Sequence, residues 1–419
     1  MKMHTKLLGS LALSALMAVG FTGCGSDGDS SVPANESSAA ESTVSPYQRV
    51  AVIEGTWDDV LPIAEKIAQY VVYTNEATEL GLPTNWVIAG ANTGATPAET
   101  YETSDLLPIP VGTNKSRVIE FCNKAYATEA IATGKFHGSA LPCEVSVHSD
   151  GTNVYVDMLD AEAIFNIFFT DTADTATDEE RAAFAVLASA VKSELRTMIK
   201  AGLEDDNGVS AATAVTYTES TLAMGPSFTQ SDIDNTIAYK NPYIVYKYTG
   251  AGSYSLTDAK TLAEDIITVL GTDAATADTN VPGLSANSAW RSGRPEPIAI
   301  PNVKVVEACS PKYAKKATAL GSEYITALPC EFTVYVDETA AGYDAATGTG
   351  PVLAISFLNP NFMFGTMFEG AVANALADGT IDKADVIEYS TLADVVFADL
   401  RMIVDHAVQT SGMTLDITE

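Results

Sequence analysis

The stretch Leu141-Pro142-Cys143-Glu144 returns later in the chain as Leu328-Pro329-Cys330-Glu331, at an offset of 187 residues. A second cysteine, Cys122 or Cys309, lies 21 residues before the cysteine of each copy. The residues just before these cysteines also align at the offset of 187. These coincidences predict a tandem repeat with one cysteine pair in each unit.

Other parts of the two units align at longer offsets, as expected when loops differ in length. Ile63–Ile67 resembles Leu262–Ile266, and Leu195-Arg196 resembles Leu400-Arg401. The predicted organisation is a signal peptide over 1–23, a flexible tether over 24–45, a first repeat domain over 46–206, a linker over 207–240, a second repeat domain over 241–410 and a tail over 411–419.

Hydrophobic periodicity gives each unit the same order of elements. In the first unit it predicts strand 47–54, helix 57–72, strand 117–122, helix 125–132, strands 143–148 and 153–159, and helix 178–201. In the second unit it predicts strand 243–248, helix 256–270, strands 303–309, 330–336 and 352–358, and helix 391–409. The fold class is therefore α+β, with two tandem repeats that each place helices on one face of a mainly antiparallel sheet.

Two short elements of each unit resemble a known bacterial family. A strand ends in a turn, Cys122-Asn123-Lys124 or Cys309-Ser310-Pro311, and a later strand begins after a Leu-Pro step. Both units resemble the family catalogued as domain of unknown function 302, although Lys124 departs from the proline of the second unit. Members of that family look like small α+β domains that pair as dimers, and no activity is attached to them. The resemblance therefore implies a fold, and two copies in one chain imply an internal pseudo-dimer.

The amino terminus has the pattern of an export signal. Two lysines precede the apolar run Leu7–Phe21, which is shorter than a membrane-spanning helix. The residues before Cys24 resemble a bacterial lipobox, which implies cleavage before Cys24 and lipid on its sulfur. Small polar residues continue to Ser45 and predict a tether. We expect a cell-envelope lipoprotein on its periplasmic or surface face, and Gly25 after the cysteine favours the outer membrane.

The formal net charge of −31 argues against binding to nucleic acid, whose phosphates such a surface repels. Neither a Cys-x-x-Cys motif nor a nucleotide-binding glycine motif occurs. His137, His148 and His406 have no histidine equivalents in the other unit. The sequence therefore predicts no catalytic residue, cofactor or metal site. The expected partners are the membrane, through the lipid on Cys24, and an unknown small ligand or envelope protein.

The four cysteines that remain after Cys24 form an even set in an exported protein. We therefore expect the disulfides Cys122–Cys143 and Cys309–Cys330. Free buried thiols, and a metal, haem or redox role, remain open alternatives.

Repeated acids flank these cysteines, and the pairs are Glu120 with Glu307 and Glu144 with Glu331. Such carboxylates form a candidate ligand site, because they could hold a cation or tune a thiol pKa. The ordinary expectation for an acid in a strand is nevertheless the solvent face. A repeated aromatic stripe around Phe165–Phe169 is expected in the core or between the units.

The leading functional hypothesis is a non-enzymatic lipoprotein that binds a small ligand or a protein partner between or beside its units. One alternative is a thiol-dependent redox or metal-handling periplasmic protein. Another is a structural component of the envelope.

Overall fold

The computed structural model describes residues 43–72, 86–88, 116–141, 143–169, 177–204, 217–220, 223–224, 228–229, 241–271, 280–284, 288, 290–292, 296–327, 330–413 and 415–418. All of them belong to one compact unit, Ser42–Glu419. The predicted signal peptide, Cys24 and nearly all of the predicted tether lie outside the described residues. Within the described ranges, none of the helices combines the length and apolar character needed to cross a membrane.

The first half of the unit runs from Thr43 to Ser220 and is followed by two short strands that pair back to its first two strands. Its strands are β1 Thr43–Val44, β2 Tyr47–Glu54, β3 Trp86–Ile88, β4 Ser116–Asn123, β5 Cys143–Ser149, β6 Asn153–Leu159, β7 Tyr217–Glu219, β8 Ala223–Met224 and β9 Phe228–Thr229. Its helices are α1 Val60–Val72, α2 Lys124–Ala130, α3 Ala161–Phe168 and α4 Asp178–Glu204, with 3-10 turns at Trp57–Asp59, Ile131–Thr133 and Lys135–Ala140.

The second half runs from Asn241 to Thr418. Its strands are β10 Tyr243–Tyr254, β11 Ile298–Ile300, β12 Val303–Ala308, β13 Cys330–Val336, β14 Gly350–Leu358 and β15 Leu415–Thr418. Its helices are α5 Leu256–Leu270, α6 Pro311–Ala319, α7 Pro360–Met363, α8 Glu369–Asp378 and α9 Lys383–Thr410, with a 3-10 helix at Ser322–Ala327 and a π-helical turn at Phe364–Phe368.

The two halves build sheets of the same topology. The first sheet has the strand order β3-β4-β5-β6-β2-β7, and the second has the order β11-β12-β13-β14-β10-β15. Every pairing in both sheets is antiparallel. The predicted α+β class with antiparallel sheets is confirmed. Strands β7 and β8 fall inside the predicted linker, and β15 falls inside the predicted tail.

Local sequence signals explain how these elements begin and turn. The Asp150-Gly151 turn joins β5 to β6, and Gly151 adopts a positive φ of 95° that favours glycine. Thr56 caps the start of the first helical segment with a capping box, and Ser255 does the same for α5. The predicted hairpin and both predicted helices are therefore present at their expected places.

Alternation along the strands gives each sheet two different faces. In β13, Phe332, Val334 and Val336 belong to a core with α5 and α9. The intervening residues Thr333 and Tyr335 point the other way, toward the first half. A second hydrophobic core contains residues of both halves. The helices therefore cover the outer faces of the sheets, and the inner faces meet in the middle of the protein.

Candidate functional site

The halves meet through two 3-10 helices that each lie on the sheet of the other half. Lys135–Ala140 packs on β13 and β14, and Ser322–Ala327 packs on β5 and β6. The Oγ of Ser139 donates to the Oγ1 of Thr333 over 3.1 Å, and the Oγ of Ser146 lies 2.7 Å from the Oγ1 of Thr326.

These two hydrogen bonds join aligned positions of the two halves, where residues align at the offset of 187. Ser139 aligns with Thr326, and Ser146 aligns with Thr333. Each contact therefore recurs with the partners exchanged, which is the pattern of a two-fold interface between like subunits.

The aromatic residues follow the same arrangement and lie between the halves. His137 packs against Phe169 and Tyr243, with ring centroids 4.6 and 5.3 Å apart. Tyr324, the residue that aligns with His137, packs against Phe368 and Tyr47, with centroids 5.2 Å apart in both pairs. The repeated aromatic stripe therefore forms the surface that joins the halves.

The four repeated glutamates lie in the central region of this surface. Glu120 pairs with Glu144 across β4 and β5, and Glu307 pairs with Glu331 across β12 and β13. All four side chains are buried, with at most 6% exposure. The expectation of a solvent-facing position is therefore wrong, because the face of the sheet opposite the helices is covered by the other half.

The structure brings Glu144 and Glu331 into direct contact through a hydrogen bond between their carboxyl groups. Burial raises the pKa of both groups well above the usual value. The negative charges of Glu120 and Glu307 raise the pKa of Glu331 further. The pair is therefore held in a protonated form that can share hydrogen bonds.

All four cysteines of the described residues are free thiols, so the expected disulfides are absent from the structure. The strand register gives the reason. Cys143 pairs with Phe121 rather than with Cys122, and Cys330 pairs with Ala308 rather than with Cys309. Consecutive residues point to opposite faces of a strand, so the two sulfurs of each pair begin on opposite sides of the sheet.

The second half contains a cavity of about 60 Å³ at the ends of β12 and β13. Its lining is mostly apolar and includes both cysteines of this half. The residues that line it are Trp290, Ala308, Cys309, Ser310, Tyr313, Ala314, Ala317, Ala327, Cys330, Glu331, Leu358, Pro360, Met363, Phe364, Phe368 and Val396.

Two of these lining residues are fixed by one carboxylate. The Nε1 of Trp290 and the hydroxyl of Tyr313 each donate to the Oδ2 of Asp399 over 2.9 Å. Asp399 is buried in α9. A carboxylate shared by two donors holds both aromatic rings in place, so this wall of the cavity is preorganised.

The first half contains the corresponding arrangement around a smaller cavity of about 30 Å³. Trp86 and Tyr126 line it and donate to Glu194 over 2.7 and 2.5 Å. Phe121 occupies the position that aligns with Ala308 and also lines the cavity. The larger ring accounts for the smaller volume in the first half.

Sequence reasoning missed these tryptophan, tyrosine and acid groups. Glu194 and Asp399 each stand immediately before a repeated Leu-Arg pair, at the same offset of 205 residues. This repeated acid is the sequence feature from which the tyrosine and acid groups could have been suspected. Its tryptophan partners come from distant parts of the sequence and need the fold to identify them.

The thiols in both cavities are neutral at physiological pH. Burial raises the pKa of Cys122, Cys309 and Cys330 to about 12. Burial also raises the pKa of Cys143. Because the thiolate is the nucleophile and the metal ligand, these sulfurs form apolar cavity walls rather than reactive groups.

A third cavity, of about 30 Å³, lies between the halves. Glu144 and Glu331 both line it, together with Ala140, Leu159, Ile164, Phe168, Ala327, Leu358, Met363 and Met367. Within the ranges that the structure describes, no group of three or more His, Cys, Asp or Glu side chains is arranged to hold a metal ion.

A separate buried charge cluster lies on the inner face of the first sheet. Arg49 makes a bidentate ion pair with Asp157 at 2.8 and 2.9 Å, and the Nε2 of His148 lies 2.6 Å from the same carboxylate. Burial favours the protonated acid, but these hydrogen bonds outweigh it and hold the pKa of Asp157 below its usual value. Asp157 and His148 are almost fully buried, so the cluster supports the fold.

Apart from Trp86, the residues that line the first cavity lie in a segment that matches a family model. The model of the family "Domain of unknown function DUF302" matches residues 109–201. This segment resembles DUF302. The match contains Phe121, Cys122, Tyr126 and Glu194, and it does not extend to the second half.

The search of solved structures found one DUF302 protein. The crystal structure of an uncharacterized conserved DUF302 protein from Bacillus stearothermophilus is similar over 37% of this chain and 96% of its own, with 12% identity and a TM-score of 0.23. No curated protein matches the chain.

Proposed function

We propose that this protein is an exported, non-enzymatic lipoprotein whose DUF302-like halves form an internal pseudo-dimer that binds a small apolar ligand. The tandem repeat is part of this proposal. It is supported by the shared sheet topology and by the exchanged contacts of Ser139 with Thr333 and Ser146 with Thr326.

The cavity of the second half carries the proposal. Its volume of about 60 Å³ provides room for roughly four to six water-sized groups. Cavities in protein cores are normally few and small because interiors are closely packed. This cavity instead has aromatic walls that Asp399 fixes in place. Preorganised, mostly apolar concavities are typical of small-ligand sites.

A thiol-dependent redox or metal-handling role finds less support. The cavity thiols have raised pKa values, because burial outweighs the lowering effect of the Arg291 charge near Cys309, so they are not activated nucleophiles. Export and lipidation of Cys24 rest on the amino-terminal sequence pattern. Metabolic labelling with palmitate, with a Cys24→Ser variant as control, tests the lipid anchor.

Cyclopentane is a suitable probe for the cavity, because its five carbons match the available space. Met363 lines the cavity, so its ¹³C-labelled methyl group should shift on titration, while the methyl of Met158, buried in β6, should not. Ala308→Phe introduces the residue that the first half carries at the aligned position, and it should remove the shift. An unchanged Met363 signal in the unsubstituted protein would refute ligand binding and favour a structural envelope role.

A further inference from the structure

Glu331 is the polar group that two cavities share. It lines the cavity of the second half and the cavity between the halves, and Ala327, Leu358 and Met363 also line both. The two spaces therefore adjoin along one wall. A ligand in the larger cavity reaches the central carboxyl pair through Glu331.

One oxygen of Glu331 is available for a ligand. Among the described residues, the Oε1 atom of Glu331 has no hydrogen-bond partner, although the side chain is only 4% exposed. The carboxyl group contacts Glu144 through its hydrogen bond. A buried polar oxygen without a partner is unfavourable, so a ligand that supplies a donor gains binding free energy.

The protonation state decides which chemistry fits this oxygen. Burial raises the pKa of Glu331 well above its usual value, so its carboxyl group is neutral. Its Oε1, which has no hydrogen-bond partner among the described residues, then offers a carbonyl-type acceptor. A neutral O–H group satisfies it without bringing a charge into apolar walls, whereas an ammonium group would first have to lose much of its hydration.

We infer that the cavity of the second half binds a small apolar molecule with one hydroxyl group, whose O–H donates to the Oε1 of Glu331. This inference rests on the proposed ligand site and adds the chemical class of the ligand. The hydrocarbon part lies against Trp290 and Phe364, and the hydroxyl end lies toward the centre of the protein.

A pair of isomers tests the inference directly. 1-Butanol and methyl propyl ether have the same atoms and similar shape, but only the alcohol can donate a hydrogen bond. Titrations followed on the labelled methyl of Met363 should show about tenfold tighter binding of butanol. Equal affinities would overturn the inference. Tighter binding of butylammonium than of butanol at pH 7 would overturn it as well.

Two variants separate this inference from the proposed function. Glu331→Leu should bind both isomers with equal affinity, because it lacks the acceptor. Ala308→Phe should bind neither isomer. If cyclopentane binds but the two isomers bind with equal affinity, the result supports the ligand site and refutes the role of Glu331. If no probe binds, the ligand site itself fails. The isomer comparison in the unsubstituted protein does not depend on the folding of either variant.

Discussion

Gly138 is the position where the smallest substitution should disturb the packing of the two halves. It lies in the 3-10 helix that packs on the second sheet, and a Cβ there would be 2.7 Å from the Cγ2 and 2.9 Å from the Oγ1 of Thr333. Thr333 is fully buried and accepts a hydrogen bond from Ser139. Its β-branched side chain has few alternative rotamers, so it cannot move away at low cost.

We expect Gly138→Ala to lower the free energy of unfolding by about 2 kcal/mol, within the range of 1–3 kcal/mol for overpacked cores. Urea unfolding followed by tryptophan fluorescence measures this change. Gly252→Ala is the matched control, because a Cβ at Gly252 would meet no atom within 4 Å. The control should change stability by less than about 0.5 kcal/mol.

Thr333→Ser removes the nearer of the two atoms and keeps the hydroxyl that Ser139 contacts. In the double variant, part of the cost of Gly138→Ala should therefore disappear, with a favourable coupling of about 1 kcal/mol. Strict additivity of the two substitutions, or a cost of Gly138→Ala no larger than that of the Gly252 control, would refute the packing described for the halves.

Three further predictions concern the buried charges and thiols. Arg49→Met should cost about 3 kcal/mol, because it leaves Asp157 buried without its main partner, and adding Asp157→Asn should recover much of that loss in urea unfolding. Iodoacetamide in urea without reductant should label the four cysteines other than Cys24. In the native protein at pH 8 it should label almost none of these four, since a pKa of about 12 leaves roughly one thiol in ten thousand ionised. Because each disulfide removes two thiols, labelling of only two of the four in urea, or of none, would contradict the free-thiol assignment. Burial raises the pKa of Glu331 in the folded protein. Its contribution to the free energy of unfolding is therefore most favourable below its pKa of about 4.3 in the unfolded chain, and this contribution is lost as pH rises through its pKa in the folded protein. As pH rises from 5 to 9, the free energy of unfolding of Glu331→Gln should therefore increase relative to that of the unsubstituted protein. Parallel profiles of unfolding free energy against pH would refute this.

The long alternating strands and amphipathic helices could be predicted from the sequence. The predicted strand 330–336 and helix 256–270 match β13 and α5, because their side-chain periodicity reflects burial on one face. The short edge strands β3, β11 and β15 were missed. Strands of three or four residues carry too little pattern and depend on a neighbouring strand for their hydrogen bonds.

The central contact between the halves could be anticipated only in part. The offset of 187 residues identified the four glutamates as equivalent, and strand alternation places each cross-strand pair on one face. Their burial could not be predicted, because it depends on the 3-10 helices 135–140 and 322–327, which lack helical periodicity. The disulfide prediction relied on the cysteine count and could not include the strand register.

The proposed function requires the cavity of the second half to be a preformed ligand site. Xenon-pressurised crystals test this requirement, because xenon occupies apolar cavities without needing specific chemistry. A xenon atom is expected among Trp290, Cys309 and Met363, and it should be lost in Ala308→Phe. An empty cavity in the pressurised unsubstituted protein, or an equally occupied one in the variant, would show that the cavity is not such a site.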